Sequence, residues 1–313
     1  MRQKVLVSAP YFLPVLDNYR SFFEEHNLEI VTLPVAERIE EQELLKIIDQ
    51  IDGVICGDDR FTRRVLEAAK RLKVISKWGT GIDSIDQEAA KSLGIRVCNT
   101  PNAFTQPVSD SVLSYILAFA RRTHEMAEDM RKGGWEKIPG VSLGQSTLGV
   151  LGVGNIGKAV LRKAKGFGMR LIGNDIKPIP EAFVKEVGLT LCSKEELLRS
   201  ADFVSLNTDL NPTSFHLMGE REFGLMKQSA YVINTSRGPV IDERALEKAL
   251  QARKIAGAGL DVYEHEPLPL DSPLRKLPNC LLAPHNSNSC AAAWSKVHEN
   301  TMKNLLEGLK AVK

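Results

Sequence analysis

The sequence predicts an α/β protein built on two doubly wound parallel sheets. Three observations carry this expectation. Short β-branched runs alternate with amphipathic stretches along nearly the whole chain, the alternation breaks once near residues 99–107, and it restarts at Thr147. The first series reads as strands at 4–8, 28–32, 53–56, 73–77 and 95–98, separated by helices at 15–26, 40–50, 62–71 and 84–93. Pro101, Asn102 and Pro107 then interrupt the pattern, with a hinge expected at 99–101 and another near Asn286. Residues 109–131 read as one long apolar helix that stops at Gly133-Gly134. The second series reads as strands at 148–153, 170–174, 203–206, 231–235, 256–262 and 280–283, with helices at 155–166, 194–200, 219–227 and 242–251. The stretch 291–310 is helical again. The first sheet lacks a covering helix after strand 95–98, so the chain is expected to cross back to it. That makes the first domain discontinuous, residues 1–100 with 288–313, around an inserted domain of 101–287.

Composition bounds the function. A chain of 313 residues has room for about two domains. Its 43% hydrophobic and 26% charged residues are those of an ordinary globular protein. Lys plus Arg number 41 against 39 acids, a net +2, which argues against nucleic acid as a partner. The longest strongly apolar run, 112–120, is interrupted by Ser114 and falls far short of the roughly 20 residues of a membrane span. The chain enters its first strand with no apolar leader, so a cytoplasmic protein is expected. Cys56, Cys98, Cys192, Cys280 and Cys290 are odd in number and never spaced as Cys-x-x-Cys. They read as reduced, mostly buried thiols, and no metal site is expected.

Gly152-Val153-Gly154-Asn155-Ile156-Gly157 fits G-x-G-x-x-G, follows a strand and opens a helix. In that motif the first glycine makes the turn, the second admits a pyrophosphate and the third lets helix pack on strand. Asp175 ends the next strand about 20 residues on, where an acid accepts hydrogen bonds from ribose hydroxyls and repels a 2′-phosphate. NAD is therefore the expected cofactor, and Lys177 keeps NADP open. The expected architecture is a Rossmann NAD-binding domain inserted into a flavodoxin-like substrate domain.

Ligands of such sheets sit beyond the carboxyl ends of the strands. Arg237, Glu266 and His285 all follow strands there. A histidine suits proton exchange with an alcohol near neutral pH, a carboxylate beside it favours its charged form, and an arginine offers a fork for a substrate carboxylate. Taken singly, each residue is more often a surface ion pair or a satisfied side chain. Glu264 and His265 read as solvent-facing loop residues, and His26, His124, His216 and His298 as ordinary ones.

Gly152–Gly157, Asn234-Thr235-Ser236-Arg237-Gly238, Gly259-Leu260-Asp261-Val262 through Glu266-Pro267, and Pro284-His285 resemble the signatures of D-isomer-specific 2-hydroxyacid dehydrogenases over nearly the whole chain. The resemblance implies Arg237 as substrate clamp and Glu266 with His285 as the acid–base pair. It implies Asp261 as an anchor for the nicotinamide carboxamide, Thr235 and Ser236 as further cofactor residues, and a homodimer built around the helix after Pro101. Trp78-Gly79-Thr80-Gly81 is similar to the family's substrate loop, whose backbone N–H groups receive a carboxylate. The nearest pattern is that of phosphoglycerate dehydrogenases in a short form, without a C-terminal regulatory domain. Cys56-Gly57-Asp58-Asp59-Arg60 departs from it, because two acids there disfavour a phosphate unless Arg60 or Lys77 compensates. Asn286-Ser287-Asn288-Ser289 and Asn207-Thr208-Asp209 depart as well. The implied reaction is reversible hydride transfer between a D-2-hydroxy acid and NAD, 3-phosphoglycerate being one substrate in view. A glyoxylate or hydroxypyruvate reductase is the alternative enzyme, and an NAD-sensing, corepressor-like binding protein the alternative of another class.

Overall fold

The computed structural model describes residues 2–311, in two compact units: Met1–Phe104 with Cys290–Lys313, and Thr105–Ser289. Residues 1, 312 and 313, which the sequence reading includes in the substrate domain, lie outside the described residues.

The first unit opens with β1 (Gln3–Val7), α1 (Arg20–Glu25), β2 (Leu28–Thr32), α2 (Glu41–Leu44), β3 (Gly53–Cys56), α3 (Arg63–Ala68), β4 (Val74–Lys77), α4 (Gln87–Ser92) and β5 (Arg96–Cys98). The strands form one parallel sheet in the order β2-β1-β3-β4-β5, which reverses direction between β1 and β3. Short caps start its helices: the Thr62 hydroxyl accepts the Val65 N–H at 3.4 Å and Asp86 the Ala89 N–H at 2.8 Å.

Two expected helices are shorter than predicted. The 15–26 stretch is a 3-10 turn, Leu13–Tyr19, begun by Pro14, and only then α1; Asp17 and Asn18 compete locally with helical bonding, and Asp17 takes the Arg20 guanidinium at 2.7 Å. The 40–50 stretch is α2 and a separate 3-10 turn, Ile48–Gln50, parted at Ile47, whose backbone leaves the helical region.

The second unit contains α5 (Thr105–Arg121), α6 (Thr123–Arg131), β6 (Thr147–Leu151), α7 (Asn155–Gly166), β7 (Arg170–Asn174), α8 (Glu181–Val187), β8 (Thr190–Leu191), α9 (Lys194–Ser200), β9 (Phe203–Leu206), α10 (Glu220–Leu225), β10 (Tyr231–Asn234), α11 (Glu243–Gln251), β11 (Gly257–Leu260) and β12 (Cys280–Leu282). The seven strands are parallel in the order β12-β11-β10-β9-β6-β7-β8, with the reversal between β6 and β9. The expected single helix 109–131 is two helices. Arg122 adopts a left-handed φ of 52°, and its guanidinium grips Glu125 at 2.5 and 2.9 Å, fixing the break. The sequence reading has no counterpart for α8 and β8.

The chain closes with α12 (Ala291–Lys310), which packs on the first unit's sheet: Leu305 and Leu309 occupy the space that a side chain at Gly53 of β3 would fill. The cysteines are free, and only Cys56 and Cys280 are buried. The expectation of mostly buried thiols is thereby corrected, since Cys98, Cys192 and Cys290 lie at element edges and are half-exposed. Among the described residues, no helix is long and apolar enough to cross a membrane.

Candidate active site

The glycine motif lies at the sheet reversal of the second unit. Gly152 has φ +89°, and a Cβ there would press on the Asn207 carbonyl oxygen 2.7 Å away, so the turn after β6 needs glycine. At Gly157 a Cβ would overlap the Gly152 carbonyl oxygen, which is what brings α7 close onto β6. Gly154 is the opposite case. Nothing lies within 4 Å of its absent side chain, and it is exposed together with Asn155 at the start of α7, with Ile156 half-buried behind them. This open cradle at a helix N-terminus suits a pyrophosphate. Thr235, 8% exposed at the end of β10, and Thr208, beside Gly152, hold buried hydroxyls with no hydrogen-bond partner among the described residues. Polar groups of a dinucleotide would satisfy such atoms. Asp175 accepts the Val153 N–H at 2.6 Å on Oδ2 and the Lys177 N–H at 2.8 Å on Oδ1, and each oxygen keeps a lone pair for a ribose hydroxyl.

β10, β11 and β12 are in-register neighbours, Asn234 beside Leu260 and Leu260 beside Leu282, so the loops that follow them leave one edge of the sheet. Buried Asn234 shapes the first loop: its Oδ1 accepts the Ser236 N–H at 3.0 Å and the Ser236 hydroxyl at 2.7 Å, and its Nδ2 donates to the Arg237 carbonyl at 2.9 Å. Arg237 is half-buried, with Nη1 2.9 Å from the Ser236 carbonyl. The second loop folds back on itself. Glu266 accepts the Tyr263 N–H on Oε1 at 2.9 Å and faces His285 Nδ1 with Oε2 at 2.9 Å. The two side chains retain 18% and 23% exposure, so the pair is sheltered and still reachable. Tyr263, its phenol pushed up by burial, donates to the Ala283 carbonyl at 2.9 Å and ties this loop to the strand that delivers His285.

His285 itself has φ +50°, a conformation that a side chain pays for in steric strain and that clusters at functional sites. It is held there by Asp261. The Asp261 carbonyl accepts the His285 N–H at 2.8 Å, and its 1% exposed carboxylate accepts the N–H groups of Asn286 at 2.7 Å and Ser287 at 2.9 Å. Asp261 therefore orders the histidine loop, a part that the sequence reading does not give it. Asn234 and Tyr263 are also absent from that reading, although Asn234 lies inside the quoted Asn234–Gly238 signature.

In the first unit, the loop after β4 carries the expected substrate residues. The N–H groups of Gly79, Thr80 and Gly81 make no hydrogen bond among the described residues, and Gly79 has φ +119°. Thr100 N donates to the Gly79 carbonyl at 2.8 Å and Asn99 Nδ2 to that of Thr80 at 2.5 Å, which fixes the loop. Successive free amides form an anion-accepting nest. Trp78 points inward: it is 4% exposed, its indole N–H donates to His298 Nδ1 at 2.9 Å, and it packs among Tyr11, Phe104 and Trp294. Its side chain holds the loop from behind. Lys77, 5% exposed, is paired with Asp58 at 2.9 Å, and Asp59 is fully buried against Ile39 and Ser8. Arg60 is half-buried and makes no side-chain ion pair among the described residues.

A family model described as "D-isomer specific 2-hydroxyacid dehydrogenase, NAD binding domain" matches residues 113–287. The chain belongs to this family. It is 42% identical over 254 residues to a glyoxylate reductase of Korarchaeum cryptofilum, covering 79% of this chain and 76% of that one. It is 39% identical over 269 residues to a D-3-phosphoglycerate dehydrogenase of Methanocaldococcus jannaschii, covering 85% of this chain and 51% of the relative. Among solved structures, D-lactate dehydrogenase from Aquifex aeolicus complexed with NAD and lactic acid aligns with TM-score 0.87 at 26% identity, over 99% of this chain and 98% of that one. This 2-hydroxyacid dehydrogenase is thus an oxidoreductase that uses a nicotinamide cofactor.

Proposed function

We propose that this dehydrogenase reduces an unphosphorylated 2-oxo acid to the D-2-hydroxy acid with NADH, and reverses the reaction with NAD. The observation that carries the proposal is the Glu266–His285 pair, a sheltered imidazole, its side chain 23% exposed, whose Nδ1 faces a carboxylate. When bound, the cofactor supplies the hydride acceptor or donor at its nicotinamide ring. His285 gives a proton to the 2-oxo oxygen during reduction and takes it back from the hydroxyl during oxidation. Glu266 favours the charged imidazole, Arg237 clamps the carboxylate and polarises the oxo group, and the free amides of Gly79, Thr80 and Gly81 receive anionic oxygen. Asp175 favours NAD over NADP by opposing a 2′-phosphate.

The absence of phosphate from the preferred substrate is supported by Lys77, which is neutralised by Asp58 within its own unit; Asp59, committed to the interior, does not bear on it. The names of the relatives favour glyoxylate or hydroxypyruvate. Phosphohydroxypyruvate, the substrate that the phosphoglycerate dehydrogenase resemblance implies, relies on Arg60 alone. We also propose a homodimer, supported by α6, which has no buried residue, and by the nearby exposed apolar side chains Met130, Trp135 and Val141. Five free thiols suit a cytoplasmic setting.

The test is NADH oxidation against glyoxylate, hydroxypyruvate and phosphohydroxypyruvate. Turnover that vanishes in His285→Ala supports the proposal. In Glu266→Gln the basic limb of the reductive pH profile moves to lower pH, because the charged imidazole loses its partner. Tight NADH binding without turnover on any acid speaks instead for the sensing protein.

A further inference from the structure

The loop that presents Glu266 is braced by a second histidine–carboxylate pair. His216 Nε2 lies 2.7 Å from Glu264 Oε1, with side-chain exposures of 36% and 26%, so Glu264 is half-buried rather than the solvent-facing loop residue that the sequence suggests, while His216 stays exposed on its other side. The His216 ring is stacked on Phe215 at 4.0 Å between centroids and its backbone has φ +48°, which fixes its direction.

Three segments meet at this pair. The segment of His216 runs beside the one that leaves Arg237: His216 N donates to the Pro239 carbonyl at 2.8 Å, Met218 N to that of Val240 at 3.1 Å, and Asp242 N to that of Met218 at 2.9 Å. The Arg237 segment in turn touches the Glu266 loop, because Gly238 lies so close to the Tyr263 backbone that a Cβ would overlap it. Glu264 N donates to Glu243 Oε2 at 3.1 Å at the start of α11.

Charge at the junction is unbalanced toward the acid side. Burial pushes the Glu243 carboxyl up, the Glu264 amide pulls it down, Glu264 and Glu247 push it further, and His265 opposes them. Without an imidazole donor, Glu264 would face Glu243 with only the Glu243 N–H, 3.5 Å away, to relieve it. Glu266 follows two residues later in the same turn, so a swing of Glu264 would carry the Glu266 carboxylate off His285.

We infer that His216 and Glu264 are positioning residues for the catalytic pair, holding the turn at 263–266 in the register that sets Glu266 against His285. The inference rests on the proposed dehydrogenase activity. It predicts that His216 acts through Glu266, and a double-mutant cycle reads that directly. The full chain is assayed as His216→Ala, His216→Gln and Glu264→Gln, each also combined with Glu266→Gln, for kcat, the KM of NADH and the pH profile of reduction.

With Glu266 present, His216→Ala is expected to lower kcat about tenfold, the cost of one misaligned charge-assisted hydrogen bond. It should move the basic limb of the profile to lower pH and leave the KM of NADH unchanged. His216→Gln, which keeps a donor, should recover most of the rate. In the Glu266→Gln background the same change should cost less than about twofold. An equal loss in both backgrounds, or a lowered melting temperature with the pH profile unmoved, overturns the inference. Should His216→Ala fail to fold, the Glu264→Gln cycle decides by the same criteria. An unaltered protein that reduces no 2-oxo acid overturns the dehydrogenase reading itself, whereas an active protein with additive variants overturns only the bracing role.

Discussion

Replacing Asp59 with asparagine should change the pH dependence of stability by a calculable amount. Its side chain is fully buried, with Oδ1 accepting the Ile39 N–H at 2.7 Å and Oδ2 the Ser8 hydroxyl. Burial pushes the carboxyl from 3.8 up to about 6, against the pull of Ser8, Ile39 and Lys77, and Asp58 adds to the rise. Because the folded value is the higher one, the contribution to stability is complete below the unfolded pKa and is lost as pH rises through about 6. At about pH 5 the folded carboxyl is roughly nine-tenths protonated while the unfolded one is ionised, a stabilisation of about 1.4 kcal/mol; by about pH 8 it is gone.

The replacement amide would not titrate, could still accept from the Ile39 N–H and could donate to Ser8 Oγ, which keeps its bond to the Ile55 carbonyl at 3.2 Å. Urea unfolding of both proteins at the two pH values should therefore shift in favour of Asp59→Asn by about 1.4 kcal/mol between acid and base. His298 titrates in the opposite sense, since burial lowers its pKa and its contribution fades as pH falls, but it is common to both proteins and cancels in the difference. A difference that stays constant between the two pH values refutes the reasoning.

The glycine motif gives a paired prediction. Gly154→Ala should fold with an unchanged melting temperature and bind NADH at least about tenfold more weakly by fluorescence titration, because its methyl group enters space that only the ligand uses. Gly157→Ala should lose affinity and also about 1–3 kcal/mol of stability, since the overlap is with backbone. Asp175→Ala should lower the kcat/KM ratio of NADH to NADPH by about tenfold or more, as one charge-assisted contact and one repulsion disappear together. An unchanged ratio would place cofactor choice elsewhere.

Much of the site is legible in the sequence, and the reason is geometric. Parallel strands send their carboxyl ends the same way, so Arg237, Glu266 and His285 can be gathered by strand position before any contact is known. The Gly152–Gly157 turn is equally legible, because each glycine answers a local steric demand. What escapes is set by partners far along the chain. His216 meets Glu264 across 48 residues, and nothing near either one announces the other. Asp58 and Asp59 look alike as letters, yet one pairs with the buried Lys77 while staying partly exposed itself and the other is fully buried against Ser8. Trp78 adjoins the proposed substrate loop but turns inward because His298, from α12, offers an acceptor for its indole N–H. Among elements, the seven-residue α8 and the two-residue β8 are too short to set up a periodicity, and the break at Arg122 rests on one left-handed residue and its grip on Glu125.

The same sheet geometry explains why positioning falls to residues that never meet a substrate. Loops leaving adjacent parallel strands begin side by side, but nothing in the ladder dictates where each goes next. Asn234 turns the first loop, the Tyr263–Glu266 bond folds the second, and Asp261 reaches forward to two amides of the third. The first two bonds each span three residues, whereas those of Asp261 span 25 and 26 and already join the second loop to the third. Gly238 against Tyr263, the Tyr263 hydroxyl on Ala283, and His216 on Glu264 then tie one loop to another. The 2.9 Å hydrogen bond of the proposed catalytic pair tolerates little drift, and the His285 backbone is held in a conformation it would otherwise leave. Loss of any one tie should therefore appear in the rate and its pH dependence before it appears in the fold, whose stability comes from the buried strands beneath.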